Sequence, residues 1–132
     1  AAVHATAGDL SAMRQVLDEW ALLLARTPLT EEDVAASDKF EIEFHYMVAM
    51  ASRNTALETL LRAILPLIFA GRWGVIRQSG NVEAAIASLR MKETASEHED
   101  IYRAIANHDP TAAEFFTRRH LQGAVALYRE QR

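Results

Sequence analysis

Apolar residues recur along this chain at spacings of three and four, the repeat of a helix with one face turned to a core. Leu10, Met13, Val16, Leu17, Trp20, Leu23 and Leu24 form the first such stripe and predict a helix over 8–26. Thr27-Pro28 ends it, because proline disfavours helical backbone in the residue before it. Thr30 followed by Glu31, Glu32 and Asp33 reads as an N-cap with an acid-rich first turn, so a second helix is predicted over 30–53. Asn54 caps a third, carrying Leu57, Leu60, Leu61, Ile64, Leu65, Ile68 and Phe69. It is expected to kink at Pro66, weaken through Gly71 and Gly74, and stop at the Gln78-Ser79-Gly80-Asn81 cluster. Val82 opens a fourth helix running to about residue 107. Asp109-Pro110 starts a fifth, with proline at the first helical position. Nothing reads as a strand, so the expected fold is all-α, an antiparallel helical bundle.

Composition narrows the chemistry. With 132 residues the chain makes one domain with a single core. It has no cysteine, which removes disulfides, thiolate metal sites and cysteine nucleophiles together, so any metal is held by nitrogen and oxygen. A formal charge of −4 argues against gripping nucleic acid unaided. No uninterrupted apolar run approaches a membrane span; the longest, 63–70, is cut by Pro66. The chain begins Ala1-Ala2-Val3, with neither an initiator Met nor a signal-peptide pattern, and is expected to be a piece of a longer cytoplasmic protein.

The second helix carries Glu41 and His45 one turn apart, on a narrow polar seam with Asp38, Ala49 and Ser52. A carboxylate and an imidazole at that spacing can share a cation, although one such pair is a weak motif. The fourth helix adds His98 on an inward stripe of Ala87, Met91, Thr94, Ile101, Tyr102 and Ile105, with Glu93, Glu97 and Glu99 mostly off it. The fifth adds His120 among Ala113, Phe116, Gly123, Ala124 and Leu127. One inward histidine is ordinarily a hydrogen-bonded core residue, but three neutral imidazoles in one small core need a shared partner. A divalent cation is such a partner, and three imidazoles with a carboxylate suit zinc, nickel, iron or manganese while leaving positions open. His4 and His108 lie in the chain start and in a turn and are set aside. Arg62, Arg72 and Arg77 project from the third helix; Arg72, beside Trp73, is the candidate to clamp a carboxylate, and Tyr102 the candidate to offer it a hydroxyl. A di-iron enzyme would need paired Glu-x-x-His motifs. A zinc hydrolase would need His-Glu-x-x-His, which His98-Glu99-Asp100-Ile101-Tyr102 fails. With no general base apart from the would-be ligands, an enzyme is not expected.

Three blocks resemble a known family. Glu41-x-x-Phe44-His45, continued by Met50-Ala51-Ser52-Arg53-Asn54, is similar to the Asp-x-x-Phe-His and Ala-Ser-Gly-Asn of the C-terminal effector domain in the FadR subfamily of GntR transcriptional regulators. Glu97-His98-x-x-Ile101-x-x-Ala104-Ile105-x-x-x-Asp109 resembles its Glu-His-x-x-Ile segment, and Arg119-His120-Leu121 its closing His-Leu. The resemblance implies a ligand-binding and dimerisation domain over 1–132, holding one metal through Glu41, His45, His98 and His120, with a small carboxylate effector completing the shell. It also implies a homodimer, and DNA contact only through a winged helix-turn-helix domain outside this chain. The sequence departs from the family at Glu41, where an Asp is usual, and in a first helix reduced to little more than residues 1–7. Two alternatives stay open: a metal-free pocket in which the histidines bind an organic or acyl acid, and a dimerisation module with a vestigial pocket.

Overall fold

The computed structural model describes residues 1–130, apart from the side chains of Leu127, Tyr128 and Glu130. The inward placement expected of Leu127 therefore lies outside the described residues. Among those residues every regular element is a helix: α1 (Ala7–Leu24), α2 (Glu31–Ala51), α3 (Thr55–Gln78), α4 (Val82–Ser88), α5 (Met91–Ala106) and α6 (Pro110–Glu130).

Local chemistry sets the starts. Thr6 with Asp9, and Thr30 with Asp33, form reciprocal capping boxes that satisfy backbone donors at the first turns of α1 and α2. The amides of Leu57 and Ala84 donate to the side-chain oxygens of Asn54 and Asn81, which begin α3 and α4. α2 ends where Arg53 turns left-handed, at φ 58°, and Arg53 reaches back to Asp9 at 2.7 Å.

The predicted fourth helix is two helices. Leu89 is buried at 4 % exposure, and Arg90 adopts φ 50°, a conformation few non-glycine residues take. The left-handed residue breaks the axis, so α5 restarts with Met91, His98, Ile101, Ala104 and Ile105 facing inward. Ala87, expected on the same stripe, is exposed. α3, by contrast, continues through Pro66, Gly71 and Gly74 as one helix.

The core sits between α1, α2 and α5, with α6 packed along α5. Trp20, Phe44, Met13 and Val34 are at its centre, and the Trp20 indole donates to Ser37 Oγ at 2.7 Å, so the buried hydroxyl is satisfied. Arg14 grips Glu99 with two hydrogen bonds, 2.6 and 2.9 Å, tying α1 to α5. α3 packs against α2 and touches α4. Its outer face shows Leu57, Leu60, Ile64, Leu67 and Val75 to solvent. α3 is long enough, and over an 18-residue stretch apolar enough, to cross a membrane, although Arg62 and Pro66 divide its apolar run. The packing on α2 and the three arginines along it are those of an amphipathic helix on a globular domain.

Candidate metal centre

α2 contributes Glu41 and His45, α5 contributes His98 and α6 contributes His120. One donor atom from each lies within 4.8 Å of all the others. Four residues separated by up to 79 positions in sequence are thus brought to one point, a set able to hold one divalent ion.

The rings are held by what surrounds them. His98 is fully buried, its ring 5.0 Å from both Trp20 and Phe44. Its Nδ1 lies 2.8 Å from the Thr94 carbonyl oxygen. A carbonyl can only accept, so in the neutral ring Nδ1 carries the hydrogen and Nε2 is left with a bare lone pair. That Nε2 is 3.1 Å from His45 Nε2. His120, at 4 % exposure, sets its Nδ1 2.8 Å from Glu97 Oε2, which again turns Nε2 towards the cluster. A histidine ligand that donates its second N–H to a carbonyl or carboxylate is the arrangement that orients imidazoles on metals.

The electrostatics are those of polar groups removed from water. Burial pushes the Glu41 carboxyl up to about 7, and the charge of Glu97 adds to the rise. Burial brings His45 down to about 4, with His120 contributing, and drives His98 well below its ordinary value. At neutral pH His45 and His98 are therefore neutral, the form that binds metal. Beside the cluster is a cavity of about 150 Å³ lined by Glu41, His45 and His120 together with residues of α3, α5 and α6.

The sequence profile of the FCD domain matches residues 1–123. The chain belongs to the FCD domain family, the C-terminal domain of FadR-like GntR regulators. No curated protein matches the chain significantly.

Within this FCD domain the residues singled out in the sequence fall into three groups. Glu41, His45, His98 and His120 meet. Arg72 lines the cavity but is turned to Asp38, with which it forms a buried ion pair, and its guanidinium lies 4.8 Å from the Phe69 ring centre. Tyr102 is elsewhere, under the Arg14 guanidinium at 4.9 Å. Of the other arginines, Arg62 pairs with Glu58 and Arg77 lies over Trp73. His108 contacts the Ala2 carbonyl at 2.9 Å, and His4 is exposed.

Two features escaped the reading of the sequence. Glu97, assigned mostly to the outside of its helix, reaches the His120 ring and lines the cavity. Its signal was the acid immediately before His98, but only the pairing of α5 with α6 puts it on a different histidine. Asp38, read as part of the Glu41–His45 seam, accepts from the Trp73 indole at 2.9 Å and pairs with Arg72, so it bonds α2 to α3 rather than joining the cluster.

Proposed function

We propose that this FCD domain is the ligand-sensing part of a bacterial transcriptional regulator. It binds one divalent metal, zinc, nickel, manganese or iron, through Glu41, His45, His98 and His120, together with a small carboxylate effector. The observation that carries the reading is the double anchoring of Nδ1, to Thr94 on His98 and to Glu97 on His120, which leaves the Nε2 of each ring for a point that Glu41 and His45 also reach. Three imidazoles and one carboxylate suit these ions. A bound cation would supply a Lewis-acid position for an effector oxygen, and the protein's part is to orient the rings and, by burial, to keep His45 and His98 neutral. The Glu41 side chain is longer than the family's Asp, and its place one turn before His45 on α2 lets it reach the same point.

The regulator acts in the cytoplasm as a homodimer and contacts DNA through a winged helix-turn-helix domain joined to this one. Self-association is supported by the apolar outer face of α3, a large face of a kind monomers seldom leave uncovered. The reading is of a sensor rather than an enzyme, since Glu41 and the histidines of the cleft are taken as ligands and Glu97 as the support of His120.

Thermal melts of chelator-treated protein, with and without zinc, nickel or manganese, test the metal. At a metal concentration about a hundredfold above the dissociation constant, folding gains about 2.7 kcal/mol. That gain disappears in His98→Ala and His120→Ala and is unchanged in His108→Ala. If no metal shifts the melt at pH 7.5, or the shift survives both cluster variants, the metal-free pocket replaces this reading.

A further inference from the structure

The cavity beside the histidines is lined by two unlike sets of residues. Glu41, His45 and His120 belong to the ligand cluster; half of the other lining residues are Leu65, Ile68, Phe69, Leu89, Leu121 and Ala124, drawn from α3, the joint between α4 and α5, and α6. Its volume is about 150 Å³, and an apolar cavity of roughly that size admits a benzene ring. The charged groups that share the wall are not equally available to a ligand. Arg72 is committed to Asp38 in a buried pair, and breaking such a pair leaves a desolvated charge behind. Arg90 is exposed, where water and salt screen its attraction. Glu93 and Glu97 add negative charge to the same space.

We propose that this cleft selects an apolar monocarboxylate of about one ring in size, an aromatic or short branched acid, over dicarboxylates. The inference rests on the metal reading and deepens it. One carboxylate meets the cation beside the histidines, and the ring lies against Leu65, Ile68, Phe69 and Leu121. A second carboxylate has no comparable place: it would either lose its water against that wall or face Glu93 and Glu97.

The test uses the whole chain reloaded with cobalt(II), whose visible band reports the metal's ligands, titrated separately with acetate, benzoate and succinate. Acetate carries the same head group without a body. Benzoate is expected to bind at least about tenfold more tightly than acetate, because burying one ring face is worth more than a factor of ten. Succinate is expected to bind no better than acetate. Ile68→Ser and Leu121→Ser, at partly exposed positions that tolerate change, should each cut the benzoate advantage about threefold or more while leaving the ligand-free cobalt band as it was. Equal binding of benzoate and acetate, or tighter binding of succinate than benzoate, overturns the inference and leaves the metal reading standing. No cobalt band at all overturns both.

Discussion

α5 and α3 are both amphipathic, yet they are used very differently. α5, the shorter, is flanked by α1 on one side and α6 on the other and buries Met91, His98, Ile101, Ala104 and Ile105. α3, the longer and more apolar, has its main contact with α2 and buries only Leu65, Phe69 and Ile76. The histidine cluster is built on the well-packed side, where rings are held by neighbours on several elements. On the other side α3 lines the cavity with Leu65, Ile68 and Phe69 while its outer face is still wet. A rigid ligand set beside a lightly supported wall is the arrangement a sensor needs, because the part that moves on binding comes from the less stable regions of a fold.

The contrast is broken most severely at its centre. Phe44 is fully buried against His98, and Phe44→Ala should cost about 3–5 kcal/mol in urea denaturation. A loss below about 1 kcal/mol would show that the histidine side is not the packed core described above.

Next in size is an effect of pH on the metal-free chain. Glu41 ionises near 4.5 when unfolded and near 7 when folded, so between those values the folded form holds a proton that the unfolded form has released. Stability therefore falls as pH rises from about 4.5 to 7, by up to about 3.5 kcal/mol at roughly 1.4 kcal/mol per pKa unit. His45 acts in the opposite sense, its contribution rising with pH between about 4 and 6.5. Glu41→Gln should accordingly be more stable than the parent in chelator at pH 7.5, and no more stable near pH 4.5. With metal present the order at pH 7.5 should reverse. Denaturation midpoints at the two pH values decide it, and a Gln variant indifferent to pH and metal would remove Glu41 from the cluster.

Smaller again is the effect of the group behind the ligands. Glu97→Gln keeps an acceptor for the His120 N–H but loses its charge, and zinc affinity measured by competition with a chelating dye should drop about ten- to a hundredfold. An unchanged affinity would make Glu97 a bystander. The smallest change is expected on the outer face of α3, where Leu67 is 72 % exposed. Leu67→Ser should alter the stability of the isolated subunit by no more than about 0.5 kcal/mol and should weaken self-association in sedimentation. A large loss of folding stability with no change in association would show that this face is already covered within the subunit.

Much of this was written in the linear pattern. Helix starts were legible because Thr30 and Asn54 satisfy local backbone donors, and such chemistry needs no tertiary context. His98 and His120 were legible because each is a polar interruption of an apolar stripe, and His45 because it lies one turn from Glu41 on a polar seam. The break at Leu89-Arg90 was not, since no glycine or proline marks it and the helical spacing continues across it; only the demand that both Leu89 and Met91 be buried forces Arg90 into its left-handed turn. Partner choice was equally hidden. Asp38 lies on the Glu41–His45 seam in sequence, but whether it joins that pair or turns to Arg72 depends on where α3 lies.

The chain holds two tryptophans, and the fold assigns one to each region: Trp20 is sealed beside the His98 ring, and Trp73 stands on α3 with its indole bonded to Asp38. The protein thus carries its own pair of optical labels. Emission from Trp20 reports what happens to the imidazole next to it, through quenching by a paramagnetic ion or a ring cation at close range. Emission from Trp73 reports whether the α3 wall has shifted against α2. Replacing either indole with phenylalanine separates the two signals, so that filling of the site and movement of its wall can be timed independently in one stopped-flow trace.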